Sequence, residues 1–352
     1  MTAKVLFPDT DVNWMGVDIG DIVDRRNTSL KDHSGSTLAV DAYNTIYQFL
    51  SSIRQPDGTP LMDKDGNVTS HLSGVFYRTT SMLENGIRPV YVFDGKPSQL
   101  KNRTIEERRK VKEKSRIELE EAMEQGDTER IRSLSARVSY ITSAMVQDIK
   151  ELLSYMGLPH VQAPSEGEAQ ASVMSARGLA DGVISQDFDC LLFGAKKLFR
   201  NFAFTGRRKL PGRNIYVNVM PEEIDLERTL TVNQITRDQL IDIGIMVGTD
   251  FNGGLKRVGP KSALSLIKKH KSLENVLAAK NATIENYEQV RELFRNPPYA
   301  EVGNLAFFPP DPEKIMSFLC DRHSFSPQRV QPYVDIIIKS SRNRSQSSLD
   351  IF

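Results

Sequence analysis

Seven acidic residues stand where the sequence predicts that an apolar strand ends or a helix begins. The segments "LAVDA", "VYVFDG" and "GVISQDFD" each run from apolar residues into aspartate, and "SEGEA" and "MVGTDFNGG" add three more acids. The seven are Asp41, Asp94, Glu166, Glu168, Asp187, Asp189 and Asp250. Clustered carboxylate oxygens suit Mg²⁺ or Mn²⁺, whereas five histidines and two cysteines are too few to suggest zinc. A pocket holding two such ions can activate water and stabilise a leaving oxygen, which is the chemistry of phosphoryl hydrolysis.

Asp187 and Asp189 are the closest pair of aspartates in this set. The apolar runs 182–184 and 191–193 flank them, so we predict one strand on which residues i and i+2 point to the same face. Two buried carboxylates held that close repel each other unless a cation compensates. Adding Mg²⁺ or Mn²⁺ should therefore raise the melting temperature.

Each acid also has a purely structural interpretation. An aspartate at a strand end is often a turn former or a helix N-cap. Ser165-x-x-Glu168 fits a capping box, and Asp250 precedes an Asn-Gly-Gly turn. If Glu166 and Glu168 begin a helix, they lie about 200° apart around it and would reach different ions or act through water. Unrelated turns do not explain seven such acids, so we favour a metal cluster.

Basic residues follow the second acid-bearing strand directly, in the segment 101–116. Lys101 and Arg108 lie about two helical turns apart and would share a helix face. Alternatively, Thr104-x-x-Glu107 is a capping box that starts the helix later and leaves Lys101 in a loop. A solvated helix face with i,i+4 ion pairs is the structural alternative. Cations at this position can stabilise a reacting phosphate.

Two further stretches, residues 196–213 and "GGLKRVGPKSALSLIKKHK", carry basic but no acidic side chains. In the second, Gly259-Pro260-Lys261 turns into a helix whose backbone N–H groups and positive dipole end can bind phosphate. The formal net charge of the chain is only +1, so these stretches are local features. They predict contact with a nucleic-acid backbone and strong salt dependence.

The elements that would position these residues alternate between strands and helices. The predicted elements are strands at 37–40, 89–93, 160–162 and before Asp187, helical segments within 100–155, a β-hairpin with a basic loop within 195–220, helices over 236–279 and an amphipathic segment near 326–339. This alternation predicts an α/β fold with a mostly parallel central sheet flanked by helices. Ligands of such sheets bind outside the carboxyl ends of the strands.

Composition predicts an ordinary globular chain of one large or two medium domains, with 39% hydrophobic and 26% charged residues among 352. Cys190 and Cys320 cannot form a disulfide framework, and no run of about 18 apolar residues predicts a membrane span. The N-terminus "MTAKVLFPDTDVNW" does not resemble a signal peptide. We therefore expect an intracellular protein, cytoplasmic or nucleoid-associated, without a membrane partner.

Five motifs, in their order and spacing, resemble the archaeal-type flap structure-specific endonucleases of DNA replication and repair. They are "AVDAYNTIYQFL", "VYVFDGKPSQLK", "APSEGEAQA", "SQDFDCLLFG" and "GTDFNGGLKRVGPKSAL", and the likeness runs from Met15 to Phe352. The resemblance implies a PIN-like 5′-nuclease fold with a helical arch and a helix–two-turn–helix element that grips duplex DNA. It also implies a magnesium-dependent phosphodiesterase that cleaves 5′ flaps at single-strand/double-strand junctions, with 5′–3′ exonuclease activity, in Okazaki-fragment maturation and base excision repair.

The same resemblance implies roles for individual residues. The seven acids are expected to bind two Mg²⁺ ions per subunit, for which Mn²⁺ can substitute. Lys101 and Arg108 are expected to be the catalytic arch cations that stabilise the scissile phosphate. Tyr47 is expected to stack on a nearby base, although its position alone suggests a core aromatic on a helix face. Gly259 to Lys261 are expected to form a phosphate-binding turn assisted by K⁺ at the helix–two-turn–helix.

Three features depart from the family pattern. Arg257 stands where the family usually has glycine, which would alter how the backbone approaches phosphate. The family's Met-Gly start corresponds to Met15-Gly16, so we expect translation to begin at Met15, or the preceding extension to be removed or to swing clear. The tail Gln346-x-x-Leu349-x-x-Phe352 resembles the motif that binds the sliding clamp (PCNA) but stops one aromatic short. We interpret it as clamp-binding.

The predicted organisation follows from these motifs. Residues 1–14 form an extension, 15–112 the N-terminal part of the nuclease domain, 113–129 the helical arch segment, 130–272 the internal part with the helix–two-turn–helix, 273–340 a C-terminal helical region, and 341–352 a disordered tail with the clamp motif at 344–352.

Three alternative functions compete with flap cleavage. One is a related 5′–3′ exonuclease or nucleotide-repair nuclease, another a PIN-like ribonuclease, and the third a non-catalytic scaffold that binds junctions or the clamp. The segment 100–155 and the tail argue against a small PIN ribonuclease, and a scaffold predicts a missing acid where none is missing. We predict a monomeric enzyme acting on branched DNA with a 5′ flap.

Overall fold

The computed structural model describes residues 16–55, 57–202, 206–209 and 216–349. Its strands are β1 (Arg25–Asn27), β2 (Thr37–Asp41), β3 (Arg88–Phe93), β4 (His160–Gln162), β5 (Gly182–Ile184), β6 (Lys197–Arg200), β7 (Gly206–Lys209), β8 (Tyr216–Val219) and β9 (Glu222–Asp225). Seven of them form one sheet in the order β1-β9-β6-β5-β2-β3-β4, while β7 and β8 pair separately as the predicted hairpin.

The central strand pairs of the sheet are parallel. Strand β2 lies between β5 and β3, with Val40 opposite Ile184 on one side and Asp41 opposite Val92 on the other. Pairs β3–β4 and β5–β6 are also parallel, whereas β9 runs antiparallel to β1 and β6. The predicted mostly parallel sheet is confirmed, and three strands that lead into aspartates end along one edge.

Fourteen α-helices are present in the described part of the chain. They are α1 (Ala42–Ser52), α2 (Ser70–Glu84), α3 (Asn102–Glu124), α4 (Thr128–Arg137), α5 (Ser143–Tyr155), α6 (Gly167–Ala176), α7 (Asp189–Leu192), α8 (Leu226–Asn233), α9 (Arg237–Val247), α10 (Pro260–His270), α11 (Leu273–Lys280), α12 (Tyr287–Arg295), α13 (Pro312–Met316) and α14 (Pro327–Leu349). Short 3₁₀ turns and one π-helical turn, Ser317–Arg322, complete the set.

Helices cover both faces of the sheet because its central strands are apolar on both sides. Side chains alternate along β2: Ala39 packs into the core beneath α6, α7 and α9, whereas Leu38 and Val40 pack into the core beneath α1, α2, α5 and α14. Among the described residues, no helix is both long enough and apolar enough to cross a membrane.

The predicted single strand through Asp187 and Asp189 is wrong. Strand β5 ends at Ile184, and Asp189 begins the short helix α7, where the Phe193 N–H bonds to the Asp189 carbonyl at 2.9 Å. The apolar side chains 190–193 are buried against α6 and α9. A short apolar run does not distinguish a buried strand from a buried helical turn, so packing decided between them.

The C-terminal tail also differs from the prediction. Helix α14 continues to Leu349, so residues 341–349, which we expected to be disordered, are helical. The buried residues Val330, Val334 and Ile337 anchor the first half of this helix to the core. The proposed extension 1–14 and Phe352 of the clamp motif lie outside the described residues. The domain boundaries stay predictions, although the boundary at 112/113 falls inside α3.

Candidate active site

The seven acids surround the carboxyl ends of β2, β3 and β5. Ligand oxygens of Asp41, Glu168 and Asp187 all lie within 4.8 Å of one another. Asp41 ends β2, Glu168 lies in the first turn of α6, and Asp187 follows β5. Of the other four acids, Asp94 follows β3 and Glu166 precedes α6, while Asp189 begins α7 and Asp250 follows α9. All of the seven except Asp94 are buried, and Asp94 is partly exposed.

Simple structural roles account for some of these acids but not for their convergence, and Asp250 does lie in a turn closed by the Thr249 and Asn252 backbones. Asp41 does cap α1, since its Oδ1 accepts from the Asn44 N–H at 3.1 Å, while its Oδ2 accepts from Ser185 Oγ at 3.0 Å. The predicted capping box at Ser165 is absent, because the N-cap of α6 is Glu166, whose side chain makes no capping hydrogen bond. The Gly167 N–H in the first turn of α6 donates instead to Asp94 Oδ1 at 2.7 Å. The Glu168 carboxylate is therefore left to face the other acids.

Burial makes five of these carboxyls hold their protons more tightly than usual. Burial raises the pKa of Asp94 to about 7, and the nearby charge of Asp41 adds to this effect. Burial likewise raises the pKa of Asp189 to about 7, and the charge of Asp250 adds to it. Burial, reinforced by neighbouring carboxylates, also raises the pKa of Asp41, Glu168 and Asp187. The cluster carries more negative charge than a protein interior tolerates without cations.

Lys101 supplies one of those cations from the turn before α3. Its Nζ lies 2.5 Å from Glu166 Oε2, 3.4 Å from Asp250 Oδ2 and 3.8 Å from Glu168 Oε1. Burial alone would lower the pKa of this ammonium, but these carboxylates raise it above its ordinary value. Glu166 has extended backbone before the helix, so the predicted 200° separation from Glu168 does not apply and both approach one cation.

Arg108 supplies the second cation. Its Nη2 lies 2.5 Å from Asp250 Oδ1, on the same carboxylate that Lys101 approaches. The alternative capping box at Thr104 is absent, because α3 already begins at Asn102 and Thr104 Oγ1 donates to the Asp250 carbonyl at 2.7 Å. Lys101, at the N-cap of α3, and Arg108, about two turns further along, therefore both reach the acids.

The residues present fit divalent cations. The donor set consists of carboxylate oxygens, which hard ions prefer. Asp189 Oδ1 accepts from the Val17 N–H at 3.0 Å, but its buried Oδ2 has no hydrogen-bond partner. A buried carboxylate oxygen without a partner is costly, and a bound cation would remove that cost.

Tyr47 lies on α1 and its ring contacts α3. It is only partly buried. Lys112 Nζ donates to the Tyr47 hydroxyl at 3.2 Å and lies 4.9 Å from the ring centre. The ring is therefore a partly exposed face beneath a cation and not a core aromatic.

The predicted phosphate-binding turn precedes α10. Gly259 is the N-cap of α10, and a Cβ placed there would meet nothing within 4 Å, so the helix start is open. Lys261 is 67% exposed and its Nζ lies 3.1 Å from Asp21 Oδ2. Arg257 has φ +60°, the left-handed conformation that glycine favours, so the backbone here has the shape expected of the glycine that the family pattern predicts.

Several hydrogen-bond donors that the sequence analysis did not list among the site residues also touch the acids. Asn44 Nδ2 donates to Asp187 Oδ2 at 3.0 Å, and the Gly16 N–H donates to Asp250 Oδ1 at 3.2 Å. Gly16 has φ +93°, and a Cβ there would lie 3.2 Å from the Asp187 side chain. Ser185 donates to Asp41, as described above. Two signals were available: the position of Asn44, three residues after a strand-end aspartate, and the match of Met15-Gly16 to the Met-Gly start of the family.

Comparisons with known sequences give consistent matches. The XPG N-terminal domain matches residues 18–115, and the XPG I-region matches residues 157–250. Flap endonuclease 1 of Picrophilus torridus is 53% identical over 338 residues, which is 96% of this chain and 100% of that protein. Flap endonuclease 1 of Pyrococcus furiosus is 46% identical over 337 residues, 96% of this chain and 98% of that protein.

Comparisons with solved structures agree with these matches. The flap endonuclease-1 of Methanococcus jannaschii has a TM-score of 0.75 at 41% identity, over 94% of this chain and 100% of that chain. The catalytic core of Rad2 in complex with a DNA substrate has a TM-score of 0.68 at 24% identity, over 91% of this chain and 97% of that chain. The second likeness is one of fold.

Proposed function

This chain belongs to the flap endonuclease 1 family, and we propose that the cluster of seven acids is where it hydrolyses the phosphodiester bond of a 5′ flap. As a member of that family it is a structure-specific DNA endonuclease of replication and repair. The observation that carries the proposed site is the convergence of Asp41, Glu168 and Asp187 oxygens within 4.8 Å, beside Lys101 and Arg108.

Nucleases of this family use divalent metals, and we assign the seven acids as ligands of two Mg²⁺ ions, replaceable by Mn²⁺. Such ions, when bound, supply the charge that activates water and stabilises the leaving oxygen. The raised pKa values of Asp94 and Asp189 are consistent with this assignment, because burial and the neighbouring carboxylates disfavour their ionised forms and a bound cation would offset that cost.

The chain's own cations stabilise the reacting phosphate. Lys101, at the N-cap of α3, and Arg108, within α3, both contact the acids, so a phosphate placed against the cluster meets donors from both. Ammonium and guanidinium groups held in place before reaction favour the charge that builds up on phosphate oxygens.

Contacts outside the cluster place the branched DNA. Tyr47 offers a partly exposed ring for stacking with a base near the scissile phosphate. The open N-terminus of α10, with Gly259 and the exposed Lys261, offers backbone N–H groups and a charge to a phosphate of the duplex, with K⁺ assisting.

We also propose a sliding clamp (PCNA) as partner, bound through Gln346, Leu349 and Phe352, with the enzyme acting as a monomer at the nucleoid. The last turn of α14 carries Gln346 and Leu349, so clamp binding would require that turn to unwind or to dock as a helix. Truncation after residue 343 should abolish stimulation of cleavage by an archaeal clamp while clamp-free cleavage stays unchanged. Equal stimulation of the truncated and full chains would exclude this partner site.

The assay for the catalytic proposal uses a labelled double-flap DNA with Mg²⁺. Asp187→Ala and Asp189→Ala should abolish cleavage but still bind the DNA in Ca²⁺. Asp65→Ala, at an exposed acid of the connector between α1 and α2, is the matched control and should cleave normally. Undiminished cleavage by both active-site variants would overturn the ligand assignment, and absence of cleavage by the native protein would favour a non-catalytic scaffold.

A further inference from the structure

Asn44 joins two of the acid-bearing segments although it is neither an acid nor a cation. Its backbone N–H donates to Asp41 Oδ1 at 3.1 Å, and its side-chain Nδ2 donates to Asp187 Oδ2 at 3.0 Å. Its Oδ1 accepts from the Gln186 N–H at 3.2 Å and from Gln48 Nε2 at 2.6 Å. Asn44 is only 6% exposed, so water competes little for these bonds.

The segment around Asp187 is held from the opposite side by Arg200 on β6. Arg200 Nε donates to the Gln186 carbonyl at 3.1 Å, and its guanidinium lies 4.3 Å from the ring centre of Phe188. Arg25 lies 5.5 Å from the same ring centre. Both neighbours of Asp187 in the chain are therefore held in place, while its carboxylate receives a hydrogen bond from Asn44.

We propose that Asn44 is a positioning residue that orients the Asp187 carboxylate for a divalent cation. This inference rests on the proposed function, in which Asp187 is a metal ligand. Asp41 and Asp189 repel Asp187 and would turn its carboxylate away in the absence of a restraint. A neutral amide donor restrains one carboxylate oxygen without adding a positive charge. A lysine or arginine at this position would add a charge that competes with the cation.

The test measures cation binding as well as cleavage. Asn44→Leu and Asn44→Ala remove the hydrogen bond to Asp187, and Gln48→Leu is the matched control because it removes only the outer bond to Asn44. Binding of Mn²⁺ to DNA-free protein is followed by the electron paramagnetic resonance of free Mn²⁺. Both Asn44 variants should bind Mn²⁺ about 10- to 100-fold more weakly and require correspondingly more Mg²⁺ for cleavage, whereas Gln48→Leu should match the wild type.

Folding of the variants is checked by circular dichroism and by flap-DNA binding in Ca²⁺, which should be unchanged. Mn²⁺ binding by folded Asn44→Leu and Asn44→Ala equal to that of the wild type would overturn this inference. That outcome is separable from failure of the proposed site, because Asp187→Ala would then still be inactive. Normal cleavage by Asp187→Ala would instead overturn the proposed site and this inference with it.

Discussion

Lys101 Nζ and Glu166 Oε2 lie 2.5 Å apart, so a largely buried ion pair joins the turn before α3 to the residue at the N-cap position of α6. Asp250 Oδ2, from the segment after α9, lies 3.4 Å from the same nitrogen. One lysine thus connects three segments that are distant in the chain, and it does so next to the acids proposed to bind metal. This arrangement leads to the first of four predictions.

Lys101→Ala should lower the rate of flap cleavage about 10²- to 10³-fold, because it removes a preorganised donor from the reacting phosphate. Lys114→Ala is the control, since Lys114 is 79% exposed and its ion-pair partner in α3 is Glu118 at 3.8 Å. Single-turnover cleavage measures the effect, and DNA binding in Ca²⁺ should change little. A Lys101→Ala rate within a few-fold of the Lys114→Ala rate would contradict the catalytic role.

The rise in melting temperature on adding Mn²⁺ should be larger at pH 8 than at pH 6. Burial raises the folded-state pKa of Asp94 and Asp189 to about 7, so without metal their contribution to stability is present at low pH and lost as the pH rises through 7. Cation binding to the deprotonated acids restores the stability that is lost when they deprotonate. Differential scanning fluorimetry with EDTA or Mn²⁺ measures this, and Asp189→Asn should reduce the pH effect. An equal rise at both pH values would refute the assignment.

His71→Leu should lose less stability than the wild type between pH 7 and pH 5. His71 is 1% exposed, both ring nitrogens lack hydrogen-bond partners, and burial lowers its pKa to about 4. The unfolded state therefore takes up the proton first, and stability is lost as the pH falls below about 6.5. Urea unfolding gives the free energy of unfolding at both pH values. Its decrease from pH 7 to pH 5 should be about 2 kcal/mol larger for the wild type than for His71→Leu. Parallel pH dependences would show that His71 does not titrate in this way.

Arg257→Gly should be more stable than Arg257→Ala by about 1 kcal/mol, because position 257 has φ +60° and alanine retains the Cβ that makes this conformation costly. Both variants remove the same charge, so their loss of DNA affinity and its salt dependence should be equal. Thermal melting and fluorescence anisotropy measure the two effects. An alanine variant as stable as the glycine variant would mean that the turn relaxes to negative φ.

Local chemistry made much of this protein predictable from its sequence. Apolar runs ending in Asp41 and Asp94 identified two strands and their rim acids, because strand periodicity and the preference of carboxylates for hard cations are properties of short segments. The alternation of strands with helices likewise predicted a mostly parallel sheet, since a parallel connection requires a crossover.

Only the tertiary structure decided the contacts between distant segments. The run after Asp189 is a helical turn because it packs between α6 and α9, and its composition alone suits either state. Asn44 meets Asp187 across 143 positions of sequence because β2 pairs with β5. Glu166 and Glu168 approach the same cation because one precedes the helix and the other lies within it. Strand pairing and helix packing set these distances. Both depend on the whole chain and not on any short segment.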